Sequence, residues 1–125
     1  MRGANKVFLV AACLLLLTGV QLGALGAHAL TDRLSPQKLN SWELAVQYQL
    51  VHSLGLIVIV LLSDRLASAT LLRWAGFIML GGIFLFSGSI YASALGLPAF
   101  SQIAPFGGVS FMVAWFMVAI AAFRS

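Results

Sequence analysis

Few side chains in this 125-residue sequence can do chemistry, and the most telling lie in its first half. His28, Glu43 and His52 are the ionisable groups that fall at the edges of, or inside, long apolar runs. Gln47 lies four residues after Glu43, on the same face of a helix, with Trp42 and Tyr48 beside the pair. An imidazole and a carboxylate near one membrane interface could pair across two helices or hand on a proton, and intramembrane ionisable groups are functional candidates for that reason. Two histidines and a carboxylate are also a zinc-type ligand set. On a helix rising about 1.5 Å per residue, however, Glu43 and His52 are about 13 Å apart along the axis, too far to meet on one ion. No HExxH or CxxC spacing is present, so no metal site is expected. Nor is there a Ser-His-Asp order, a phosphate loop or a dinucleotide fingerprint. Asp32 and Asp64, the other carboxylates, fall in connections on opposite sides and cannot form a catalytic pair. No catalytic residue and no cofactor is expected. His28, Trp42, Glu43, Gln47, Tyr48 and His52 stand as a candidate polar cluster, either a clamp between the first two helices or the lining of a route for a proton or small solute.

The elements that must position this cluster follow from composition. Hydrophobic residues make up 62% of the chain and charged residues 8%, against about 25% charged in soluble domains. A water-soluble globule of this composition would expose large apolar patches, so the bilayer is the expected solvent and partner. About 20 apolar residues span a hydrocarbon core as a helix. Four segments approach that length, at about 7–30, 42–62, 72–97 and 102–123. Backbone polar groups in lipid must be paired within the segment, so each span should be helical. Short connections make successive helices antiparallel neighbours. The expected architecture is therefore an all-α integral membrane protein, one domain built as an up-down bundle of four transmembrane helices. The third connection, with Pro98, Pro105 and no charge, should sit in or dip toward the interface.

Arg2 and Lys6 followed by an apolar run and Ala27-His28-Ala29 imitate a cleavable signal. The run is long for a signal peptide, and a retained first helix is the expectation. Cys13, alone in that run, cannot form an internal disulfide and should act as a small apolar side chain. The net charge of +4 could suggest nucleic acid, but the basic residues lie singly at the ends of apolar runs and no nucleic-acid binding is expected. Arg2, Lys6, Arg65, Arg73 and Arg124 fall on one side and Arg33 and Lys38 on the other, which puts both termini in the cytoplasm. Trp42, Trp74 and Tyr91 near span ends fit an aromatic belt, while Trp115 lies deeper.

Gly19, Gly23 and Gly26 share one face of the first helix, and Gly88 opens a small-residue pair with Ala92 in the third. Small residues let helix backbones approach closely, within one bundle or between copies. Gln21, His28 and Thr18 also share a face of the first helix and should turn toward the bundle interior.

Several stretches together resemble a known family. They are LGALGAHAL at Leu22–Leu30, WELAVQYQLVH at Trp42–His52, LFSGSIY at Leu85–Tyr91 and IAPFGG at Ile103–Gly108, with Trp115 beyond. They are similar to the YgdD / transmembrane protein 256 family, a domain of unknown function numbered 423. The resemblance implies a small multi-spanning protein of the kind found in bacterial inner membranes and in mitochondria-bearing cells, with a bacterial inner membrane as the expectation here, and it carries over no catalytic residue. Two function classes stay open, and a membrane enzyme is a third, weaker one because the chain lacks a recognisable catalytic set. One is a structural or interaction component, as a homo-oligomer or part of a larger membrane assembly. The other is a channel or transporter for a proton or small solute, using polar residues of the first two helices. A cavity reaching His28, Glu43, Gln47 and His52 from one side would favour the second.

Overall fold

The computed structural model describes residues 3–125; Arg2, one of the basic residues used to orient the chain, lies outside them. Helix α1 spans Gly3–Ala27 and helix α2 Pro36–Ser63. Helix α3 covers Ala69–Ile83, followed without a break by a π-helical turn, Phe84–Gly88, and helix α4, Ser89–Ala94. A 3₁₀ turn at Pro98–Gln102 leads into helix α5, Ala104–Phe123. Four stretches are long and apolar enough to cross a membrane: Gly3–Ala27, Pro36–Ser63, Ala69–Ala94 and Pro98–Phe123. Among the described residues the fold is thus all-α, without strands, and has four candidate spans.

Local chemistry explains the ends. Ser35 caps α2, its hydroxyl accepting from the Lys38 amide at 3.3 Å, with Pro36 at the position where a missing N–H costs nothing. Helix α2 therefore begins six residues before Trp42. Gly96, at φ +115°, is the one residue with positive φ among those described, and it turns the chain out of α4. The connection beyond it leaves Leu97 and Phe100 exposed, which suits an interfacial segment.

Helix α2 is the centre of the bundle. It packs against α1 on one side and against α3, the π turn and α4 on the other, while α5 packs against α3 and the π turn. Its buried residues Trp42, Ala45, Val46, Gln49, His52, Ser53, Leu56, Ile59 and Val60 follow the three-and-four spacing of one seam. Toward one end the core is Phe8, Ala12, Leu56, Ile59, Leu72, Ala75, Met79, Phe111 and Ala114. Toward the other, Leu30, Trp42, Val46 and Ala94 form a smaller cluster. Apolar side chains remain exposed on each of the four candidate spans, as expected where the outer solvent is lipid.

Close approach through glycine holds α1 to α2. A Cβ on Gly19 would lie 2.7 Å from Leu50 Cδ2, one on Gly23 3.3 Å from Val46 Cγ1, and one on Gly26 2.6 Å from Trp42 Cδ1. The glycine face of α1 is thus packed inside the chain. Gly88 does not share this role: a Cβ there meets nothing within 4 Å. It sits in the π turn, facing open space. Gly26→Leu should therefore lower the detergent melting temperature, since overpacking costs about 1–3 kcal/mol, while Gly88→Ala leaves it unchanged or slightly higher. Equal responses in a thermal-shift assay would contradict this packing.

Candidate functional site

Trp42 is the first departure from the sequence reading. It is not a belt residue but is 1% exposed, wedged against Gly26. Its indole Nε1 donates to the Leu22 carbonyl at 2.8 Å and its ring lies 4.7 Å from that of Tyr91. Trp74, 57% exposed, keeps a position suited to the belt.

The polar hub is Gln49. Its amide donates to the Leu15 carbonyl at 2.8 Å and to Thr18 Oγ1 at 3.1 Å, and its Oε1 accepts from the Tyr91 hydroxyl at 2.7 Å. One buried side chain thereby ties α1, α2 and α4 together. Ser87 adds a second link, donating to the Ala45 carbonyl at 2.6 Å. Among the described residues no side-chain N or O atom that is itself sealed from the surface is left without a partner. The spacing of Gln49, His52 and Ser53 marks one helix face in the sequence, but nothing there reveals that Tyr91 and Ser87 complete it. The π turn decides that: its extra residue shifts the helix phase between α3 and α4, and such turns recur at functional sites.

The expected cluster divides. His28 lies just beyond α1 and is exposed, as is Glu43, and no hydrogen bond joins them among the described residues. Glu43 sits in the third turn of α2, so it is neither a cap nor a partner of His28. Gln21, expected to face inward, is exposed; Thr18 alone of that face reaches the interior. Glu43 and Gln47 border a small recess with Gly23, Trp42 and Val46. Gln47, Tyr48 and His52, by contrast, line a groove of about 1010 Å³ between α2 and α5.

That groove is aromatic. Its walls include Phe86 of the π turn and Phe111, Trp115 and Phe116 of α5. Phe111 stacks on the His52 imidazole with centroids 3.6 Å apart and planes 12° apart. Tyr48 lies 4.7 Å from Phe86, and Trp115 stands 5.9 Å from His52. Val51, Val109, Met112 and Phe116, all on its rim, are more than half exposed, so the groove opens on the lipid-facing side of the bundle. His52 itself is 5% exposed. Among the described residues no group of three or more His, Cys, Asp or Glu could hold a metal ion.

A bundle of four long apolar helices, knit by internal hydrogen bonds, is the architecture of a small multi-pass membrane protein. The sequence profile described as "Protein of unknown function (DUF423)" matches residues 22–108. The chain is 39% identical over 120 residues to the UPF0382 membrane protein YwdK of Bacillus subtilis (strain 168), covering 95% of this chain and 98% of that one. It is 40% identical over 120 residues to a UPF0382 membrane protein of Staphylococcus epidermidis (strain ATCC 12228 / FDA PCI 1200), covering 95% and 97%. No solved structure matches the chain. The protein belongs to the DUF423 family, whose function is unknown.

Proposed function

We propose that this protein is a non-catalytic interaction component of the bacterial inner membrane, working as a homo-oligomer or within a larger membrane assembly. The observation that carries this reading is the polar network that ties the helices to one another through Gln49 and Ser87. Two of the intramembrane groups that a conducting route could use are spent inside the bundle: Gln49 on Leu15, Thr18 and Tyr91, and Ser87 on Ala45. The groove that reaches Gln47, Tyr48 and His52 is walled mostly by apolar and aromatic side chains and does not include His28 or Glu43. Selective pathways are lined instead by carbonyls, charged side chains or other hydrogen-bonding groups. Native mass spectrometry in mild detergent should show species heavier than the 13.3 kDa chain. A bare monomer, together with proton uptake by proteoliposomes that contain it, would replace this reading with conduction.

Both termini are proposed to lie in the cytoplasm. Lys6, Arg65, Arg73 and Arg124 lie toward one side of the four candidate spans, Arg33 and Lys38 toward the other. A cytoplasmic-type reporter fused after Ser125 should be active; activity of a periplasmic-type reporter there would reverse the orientation.

A further inference from the structure

His52 has one more hydrogen bond to give than the protein uses. Its Nδ1 lies 2.8 Å from the Tyr48 carbonyl oxygen, which can only accept, so Nδ1 carries the proton. In the neutral ring this leaves Nε2, on the opposite edge, as a lone-pair acceptor. Nε2 has no partner among the described residues, yet it is not sealed off, since no fully buried side-chain nitrogen is unpaired. The ring lines the α2–α5 groove, so that groove is where the lone pair can be met. Two further polar groups on the same groove, the Tyr48 hydroxyl and the Gln47 carboxamide, also make no hydrogen bond to described residues.

Depth restricts what can meet them. His52 lies about 24 Å from the start of α2 and about 17 Å from its end, at about 1.5 Å per residue. That places it well inside a hydrocarbon layer about 30 Å thick. An ionic head group is costly to bring there, which disfavours a phospholipid head. An acyl chain could fill the groove but would leave Nε2 unpaired. The walls restrict the shape. Phe111 stacked on His52, with Tyr48, Phe86 and Trp115 around them, offers flat π surfaces that favour another ring in offset or edge contact. The volume, about 1010 Å³, suits a ring with part of an apolar tail.

We infer that the α2–α5 groove binds a neutral, lipid-soluble hydroxylated aromatic molecule of the hydroquinone class, its hydroxyl donating to His52 Nε2 and its ring lying among Tyr48, Phe86, Phe111 and Trp115. The occupancy is non-covalent, and it does not require the chain to be part of an assembly.

Reduced decylubiquinone is a suitable probe, with its dimethyl ether as the analogue that keeps ring and tail but loses both donors. Binding to the full chain in nanodiscs is read by quenching of tryptophan fluorescence, with empty-groove controls for partition into lipid. The quinol should quench saturably and the ether should bind at least about tenfold more weakly, the weight of one hydrogen bond of about 1.4 kcal/mol. His52→Phe keeps the stacking and loses the acceptor, so it should abolish the preference for quinol over ether. Gly108→Phe fills the groove from a position where an added Cβ meets nothing within 4 Å, and should abolish saturable binding of both without loss of melting temperature. Equal affinity for quinol and ether, or saturable binding unchanged in folded Gly108→Phe, would overturn the inference. Disulfide crosslinks between two copies of a Cys13→Ser, Met112→Cys chain treated with an added oxidant, with no saturable quenching, would assign the groove to an oligomer contact and sink the ligand while leaving the proposed interaction role intact.

Discussion

Gly107→Ala should lower the stability of this protein more than any other single-methyl addition to its glycines. At the start of α5, Gly107 lies directly on the backbone of the π turn: an added Cβ would stand 2.7 Å from Phe86 Cα and nearer still to its amide nitrogen. The other tight glycines meet side chains, which can rotate away. Gly76 faces the ring of Phe8, and Gly82 that of Phe111. Backbone on both sides of a contact can yield only by moving two helices apart. Overpacking of that kind costs about 1–3 kcal/mol, and the upper end is expected here. The next residue supplies the control. Gly108 has open space, so Gly108→Ala should be neutral or stabilising by about 0.5–1 kcal/mol, because alanine loses less backbone entropy in a helix. Reversible unfolding in mixed micelles would measure both. A Gly107→Ala protein as stable as Gly108→Ala would mean that α5 does not close onto the π turn, and the groove described here would then have a different end wall.

The second large effect belongs to Gln49. Gln49→Leu removes three hydrogen bonds and strands the Tyr91 hydroxyl in an apolar setting. A buried polar group left unpaired costs about 1–3 kcal/mol. Interhelical bonds in membrane proteins average only about 0.6 kcal/mol in double-mutant cycles, with a maximum of about 1.7, since the unfolded chain in lipid also finds partners. Gln49→Leu should therefore cost roughly 2 kcal/mol, most of it from stranded groups. Tyr91→Phe should cost less. Combined with Gln49→Leu, it should remove part of the penalty, because the orphaned hydroxyl is gone. A coupling of about 0.6–1.7 kcal/mol is expected from the cycle. Strict additivity would show that Tyr91 and Gln49 do not bond across α2 and α4.

The sequence by itself determined the solvent, the element type and their number. So few charges among so many apolar residues leave lipid as the only comfortable environment, and lipid permits helices because each pairs its own backbone. It also marked the glycine face of α1, since Gly19, Gly23 and Gly26 fall on one line whatever surrounds them. Which face of each helix meets which neighbour was not legible. In a soluble bundle the apolar stripe points inward, but here the outside is as apolar as the inside, and the stripe carries no direction. That is why Trp42 read as a belt residue and proved to be core, and why Gln21 read as interior and proved to be exposed. The pairing of His28 with Glu43 rested on antiparallel helix ends meeting, and it failed because α2 begins at Pro36 and carries Glu43 onto an exposed face. The groove was beyond sequence altogether. It exists because the π turn rephases one helix, bringing Phe86 beside Tyr48 and Ser87 under Ala45, while Gly107 lets α5 close against that turn at one end only. Both depend on where two backbones touch, a contact between distant segments that no local pattern of residue types encodes.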